Sequence, residues 1–276
     1  MGRTNKGELT LATSRPYLSL IQNSVKSDGV SFEEVSPNYL YRAILDDKSF
    51  LMHDVEIGLN NSAAAKTAMS KSGTFDTLSY FQVPAIEHIF LMNTNSRFNM
   101  SNAFEIAKKR FYQWNENVVL KQDNGSQGSN VYKINTIAEL EDILHHLFNM
   151  NVNGAISPYK PSTYEYRIVT LNNEPKLFLA KERTTSWKHN LISGALSVDV
   201  PEEKIPLLSD LANKASMALE LDFCTVDILD TTTGLLVLEV NEQVMLDEYC
   251  KTDTLRQQKV AALYREAILT RFNEIV

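Results

Sequence analysis

Two runs with strand-like alternation, Thr225 to Leu229 and Leu235 to Val240, flank the turn segment Asp230-Thr231-Thr232-Thr233-Gly234, and their pairing decides which side chains meet. With Asp230 closing opposite Leu236, Asp227 comes directly across from Glu239. Glu239 and Asn241 are two residues apart and point the same way, while Leu236, Leu238 and Val240 point to the apolar side. Directly opposed side chains lie about 5 Å apart at Cβ, and two bare carboxylates at that distance repel by about 3 kcal/mol at an effective dielectric near ~20. A cation should therefore sit between them. Oxygen donors with no His or Cys nearby suit Mg²⁺, which keeps waters and shares phosphate oxygens; Mn²⁺ would accept the same donors. The alternative is a solvent-facing hairpin, with a one-residue slip separating the two carboxylates.

Lys121 ends the strand-like run Val118-Val119-Leu120-Lys121 and is followed by Gln122-Asp123-Asn124-Gly125-Ser126-Gln127-Gly128-Ser129. Without a Cβ at Gly125 and Gly128 the backbone can approach phosphate oxygens, the serines can donate, and Lys121 supplies a point charge. Asn-Gly is also the strongest short turn signal, so a plain hairpin remains open. Glu165-Tyr166-Arg167 opens another strand, with Lys181 and Arg183 on the returning one and Trp187-Lys188-His189-Asn190 after it. Charge-assisted bonds to a phosphate or a carboxylate need such groups, although a solvated strand face would look the same.

Composition narrows the setting. Of 276 residues, 43% are apolar and 22% charged, and no run approaches the roughly 20 apolar residues of a membrane span, so a soluble, cytoplasmic protein is expected. The net charge of -7 with no basic block argues against nucleic acid. Cys224 and Cys250 give no disulfide framework, and the five histidines form neither a ligand spacing nor a hydrolytic triad.

Along the chain we expect a small α/β start, with strands at Leu9 to Ala12 and Val30 to Val35 around a helix from Tyr17 to Val25. An Ala-rich helical run from Ser62 to Phe81, interrupted at Ser72-Gly73, ends before Val83-Pro84. Amphipathic helices are expected from Ser101 to Trp114, Ile137 to Met150, Pro201 to Leu219 and Thr254 to Ile275, and a strand pair at Tyr166 to Leu171 and Lys176 to Ala180.

Taken in order, Lys121 with its Gly125-Ser126-Gln127-Gly128 loop, Glu165-Tyr166-Arg167, Asn190, Asp227 and Glu239-Val240-Asn241 resemble the ATP-grasp superfamily, and within it the RimK-like and glutathione-synthetase-like carboxylate–amine ligases. The match runs from about Ser70 to Asn241, with Ser70-Lys71, Leu78 and Val83-Pro84 resembling the opening of that region. The resemblance implies an α/β (α+β) ATP-grasp fold: a small N-terminal α/β domain over 1–83, a central subdomain with the glycine-rich loop over 84–158, and a metal-bearing subdomain over 159–276, the last two enclosing ATP.

It further implies Lys71, Lys121 and Gly125 to Gly128 at the nucleotide phosphates, with Lys181 and hinge residues Ser157 and Tyr159 also on the nucleotide. Asp227, Glu239 and Asn241 would hold Mg²⁺, Arg167 and Arg183 would face the γ-phosphate with Lys188 beside them, and Asn190 would lie next to the metal. Two departures stand out. Ser157-Pro158 replaces the usual Gln-Glu of the hinge, and Gln243-Val244-Met245-Leu246 follows the Glu-x-Asn motif where Pro or Gly is usual. The implied activity joins a carboxylate to an amine of a small molecule or a peptide through an acyl phosphate, releasing ADP and phosphate. A small-molecule kinase or a nucleotide-binding module without catalysis are the alternatives, and a homodimer is the default for a soluble enzyme.

Overall fold

The computed structural model describes residues 15–98, 102–125, 128–184, 186–189 and 194–275. The strand expected at Leu9 to Ala12 lies outside them. The chain divides into two compact units, one combining the segment up to Gly58 with Cys250 onward, the other running from Leu59 to Tyr249. The boundaries expected at 83 and 158 fall inside the second unit. No helix among the described residues is long and apolar enough to cross a membrane.

In the first unit, α1 (Pro16–Ser24) buries Leu18 and Ile21 against α7 (Thr254–Glu274), which buries Val260, Tyr264, Ala267 and Ile268. Between them in sequence come β1 (Ser31–Ser36), β2 (Leu40–Leu45) and β3 (Lys48–His53), an antiparallel meander. The expected helix from Tyr17 and the strand from Val30 are both present as α1 and β1, and the structure adds β2 and β3, which were unanticipated. The turn joining those two is Asp46-Asp47, with Asp46 at φ 53, a left-handed turn built without glycine and so without the usual sequence signal.

The second unit holds two antiparallel sheets. The larger has the order β10-β9-β8-β11-β12, comprising β8 (Tyr164–Leu171), β9 (Glu174–Glu182), β10 (Leu196–Val198), β11 (Phe223–Thr231) and β12 (Gly234–Asn241). One face packs on α2 (Ser62–Met69), α3 (Lys71–Tyr80) and α6 (Ile205–Ala218) through Tyr166, Ile168, Val226, Ile228, Leu208 and Ala212. The smaller sheet has the order β4-β7-β5-β6, from β4 (Ile89–Leu91), β7 (Gly154–Pro158), β5 (Val118–Gln122) and β6 (Val131–Ile134). Its helices are α4 (Ala103–Gln113) and α5 (Ile137–Asn149), the latter started by a Thr136–Glu139 capping box. The chain entering β4 is stitched to the edge of β12: Ile86 N–H donates to Val237 O at 2.8 Å and Val237 N–H to Pro84 O at 3.0 Å.

Two local expectations change. The helical run breaks at Ser70 rather than Ser72-Gly73, because Ser70 caps α3 by accepting from Gly73 N–H, leaving Ser72 and Gly73 in the first turn. In the β11–β12 hairpin Asp227 does face Glu239, but Asp230 faces Leu235 and a bulge at Leu238 absorbs the extra residue. Leu235, Val237 and Val240 therefore meet the core, and Leu238 turns to the other face beside Glu239, contrary to the apolar set of Leu236, Leu238 and Val240.

Candidate functional site

The uncovered face of the large sheet and that of the small sheet line one cavity of about 360 Å³, within the ordinary range of small-molecule sites. Of the expected residues, Lys71, Lys121, Gly125, Gly128, Ser157 and Tyr159 line it from the small-sheet side and α3. Arg167, Lys181, Lys188, Asp227, Glu239 and Asn241 line it from the large sheet and the segment after β9. Ser126, Gln127 and Asn190 lie outside the described residues.

Strand register builds the centre. Arg167, Asp227 and Glu239 stand in one row across β8, β11 and β12. Arg167 grips Asp227 with two bonds, Nε to Oδ1 at 2.7 Å and Nη2 to Oδ2 at 2.6 Å, and Lys181 Nζ stands 3.5 Å from Oδ1. Burial raises the Asp227 pKa, but Arg167 and Lys181 outweigh it and hold the carboxyl at about 2. The cation demanded by the opposed carboxylates is thus supplied to Asp227 by the chain itself. Glu239 makes no ion pair among the described residues, and Asn241 Nδ2 donates to Asp227 Oδ2 at 3.4 Å. Among the described residues no three His, Cys, Asp or Glu gather as a metal set, so a cation here would rest on two carboxylates, an amide and its other ligands.

Sequence reasoning did not assign the buried neighbours of this row. Glu165 pairs with Lys181, and His189 places Nδ1 at 3.8 Å from Glu165 and Nε2 at 3.2 Å from Ser162 O. Burial pulls His189 below its ordinary value against the attraction of Glu165, leaving it neutral at pH 7. The β8–β9 register carried a usable signal, since it sets Glu165 directly opposite Lys181.

Across the cavity, the turn after β5 is held by α3. Asp123 accepts from Ser72 N–H at 2.9 Å and from Ser70 Oγ at 2.7 Å, while Lys71 Nζ donates to Gly125 O at 2.5 Å and Asp123 O at 3.3 Å. An acidic group at a helix N-terminus is favoured by the exposed N–H groups and the dipole. Gly128, at φ 70, adopts a conformation that a side chain resists, and its carbonyl receives Lys188 Nζ at 3.3 Å. Arg183 is directed elsewhere: its Nη1 donates to the Tyr159 hydroxyl at 3.0 Å, and it does not line the cavity. Lys133 covers the Tyr159 ring at 3.8 Å and Trp187 meets its edge at 6.0 Å.

Lys121, 5% exposed, makes no hydrogen bond or ion pair among the described residues. Burial pushes its pKa down to about 8, against the pull of Glu239. An unfolded lysine titrates near ~10.4, so between about pH 8 and that value the unfolded chain binds more protons and stability rises with pH. Lys121→Met should therefore unfold at higher urea than the parent at neutral pH, by roughly 2–3 kcal/mol, with the gap closing towards about pH 10. Equal midpoints at both pH values would contradict the buried charge.

The model of the RimK-like ATP-grasp domain matches residues 76–262. The chain belongs to the RimK-like ATP-grasp family. Membership places it with ATP-dependent carbon–nitrogen ligases, as the order of motifs led us to expect. No curated protein matches the sequence. Solved structures share the fold: D-alanine–D-alanine ligase from Bacillus anthracis complexed with ATP aligns at TM-score 0.58 and 14% identity, over 78% of this chain and 68% of that one. The macrocyclase MdnC from Microcystis aeruginosa, bound with precursor peptide MdnA, aligns at 0.58 and 10%, over 92% and 97%. A Chryseobacterium gregarium ATP-grasp ligase in complex with ADP and a leader and core peptide aligns at 0.58 and 12%, over 96% and 97%.

Proposed function

We propose that this ATP-grasp protein activates a carboxylate with the γ-phosphate of ATP and joins it to an amine, releasing ADP and phosphate. The observation that carries this is the convergence, in one cavity, of the buried Lys71 and Lys121, the Gly125 and Gly128 backbone and the Arg167–Asp227–Glu239 row. A carboxylate is already anionic and a poor electrophile, so it needs conversion to an acyl phosphate before an amine can attack.

In this reading Lys71 and Lys121 meet the nucleotide phosphates, with the turn at Gly125 to Gly128 over them. Lys71 reaches Gly125 O in this structure, so it also fastens that turn. Ser157, Tyr159 and Lys181 bound the nucleotide, and the Tyr159 ring sits among Lys133, Arg183 and Trp187, a setting suited to a base or ribose edge. Arg167 and Lys188 face the transferring phosphate, while Arg183 acts through Tyr159. Asp227, Glu239 and Asn241 fit Mg²⁺ by donor chemistry, since a carboxylate gripped by Arg167 keeps lone pairs free and Glu239 is unpaired among the described residues. Bound there, Mg²⁺ would neutralise phosphate charge. The neutral donors and cations of the wall would orient the reacting groups and keep water out.

The acceptor class is set beside the cavity at Gln243, Met245, Leu246 and Tyr249, the first three of which belong to the Gln243-to-Leu246 segment that stands where Pro or Gly is usual. A peptide acceptor is supported by the near full-length fold match to two ligases whose structures hold peptides. The test is thermal denaturation with Mg²⁺ and ATP, ADP or GTP. Ligand at 100 times its Kd adds about 2.7 kcal/mol, which is readily seen. Mg·ATP should raise the Tm of the parent and leave Lys121→Ala unmoved; no shift with any nucleotide would overturn the ligase reading.

A further inference from the structure

His88 has no part in the site as described so far. It sits where the chain crosses from the edge of β12, through Pro84-Ala85-Ile86, into β4. Stepping the β4–β7 register back from Ile89 and Ile156 sets His88 in line with Ser157, which pairs with Val119 on β5. Alternation along β5 gives Val119 and Lys121 one face, opposite to Val118 and Leu120, which are buried under α4 and α5. His88, Ser157 and Lys121 thereby share one side of the small sheet, the side on which Ser157 and Lys121 line the cavity while His88 lies buried behind its wall.

His88 is 1% exposed, and its Nδ1 lies 2.9 Å from Ile86 O. A carbonyl can only accept, so Nδ1 carries the hydrogen and Nε2 presents a lone pair. That Nε2 is buried and has no hydrogen-bond partner among the described residues. Burial, reinforced by Lys121 and then Lys71, holds the imidazole well below its ordinary value, so it stays neutral. The charged groups acting on Lys121 itself are Glu239, Lys71, Glu165 and Asp123. An ammonium with three donors and an imidazole with a spare acceptor thus share one face of the small sheet, each without a hydrogen-bonding partner among the described residues and so not bonded to each other in this structure.

We propose that His88 is a positioning residue for Lys121: with nucleotide bound, its neutral Nε2, unpartnered in this structure, accepts one ammonium N–H and the remaining two are aimed at the phosphates in the cavity. A neutral acceptor suits this task. A carboxylate in its place would orient the ammonium equally well but would cancel the charge meant for the phosphates. The proposal rests on the nucleotide reading above and adds to it a residue outside the motifs that suggested it.

The test compares adenosine, ADP and Mg·ATP by titration calorimetry on the full chain, with His88→Phe, which keeps a ring and loses the acceptor, and His88→Gln, which restores an acceptor. His88→Phe should weaken ADP and Mg·ATP by about 5- to 30-fold and leave adenosine unchanged, with His88→Gln recovering most of the loss. In the parent protein, the ¹⁵N resonance of Nε2 should move on adding ADP, a readout independent of how the variants fold. Equal losses for adenosine and ADP, or an Nε2 resonance that ADP leaves in place, would overturn the role of His88 while nucleotide binding stands. A parent protein that binds no nucleotide would remove both proposals.

Discussion

Replacing Glu239 by Gln is expected to reduce ligation by about 10²- to 10³-fold while leaving the unliganded fold intact. The carboxylate lines the cavity and makes no ion pair among the described residues, so the folded state loses little, and repulsion from Asp227 is relieved. What goes, on the proposed ligase reading, is charge opposite the transferring phosphate. Several kcal/mol of transition-state stabilisation are typical of a metal-held charge, and each 1.36 kcal/mol is about tenfold in rate. ADP release with an active acid and amine pair measures the loss, and titrating Mg²⁺ in the presence of ATP should show weaker apparent binding. A variant that keeps full turnover would remove Glu239 from the site.

Arg167→Ala should be the most damaging change to stability in this sheet. Asp227 is 1% exposed and depends on two bonds from Arg167, and the remaining cation, Lys181, lies 3.5 Å away and is shared with Glu165. Stripping one partner from a buried pair costs about 3–5 kcal/mol, or on the order of 10 °C in Tm for a unit of this size. The pH dependence should change with it. The parent carboxyl is held at about 2, whereas an unfolded Asp titrates near ~3.9, so its stabilisation is complete above that value and fades as pH falls towards 2. Arg167→Ala should flatten this acid limb. Pairing Arg167→Met with Asp227→Asn should recover much of the lost stability, because no charge is left uncompensated. A Tm loss of less than about 2 °C for Arg167→Ala would mean that Lys181 alone satisfies Asp227.

The parts of this site legible in the sequence are those fixed by short-range rules. The glycine turn after Lys121 follows from the Asn-Gly signal and the second glycine, whereas the facing of Asp227 and Glu239 is read from a turn register one residue off, Asp230 against Leu236, and holds because a bulge restores it. The bulge at Leu238 was not legible. It lies one residue from Val237, whose backbone groups are taken by Pro84 and Ile86, a partner remote in sequence. The same distance hid the Arg167–Asp227 grip, since nothing local says that β8 lies beside β11. The fate of Arg183 depended on Tyr159, a hinge residue on the other sheet, and β2 and β3 were hidden by a turn that uses two aspartates instead of glycine. Lys71 was placed near the phosphates, but its hold on the Gly125 carbonyl required knowing that α3 and the β5 turn are neighbours.

The edge contact between Trp187 and Tyr159 also has an optical consequence. The chain has two tryptophans, and Trp114 packs against the α4 and α5 side of the small sheet under Arg110. With Trp114 replaced by Phe, Trp187 on the cavity wall would be the sole indole emitter, close enough to Tyr159 to collect its excitation. Occupancy of the cavity would then be readable from intrinsic fluorescence, without a label and before any substrate is known.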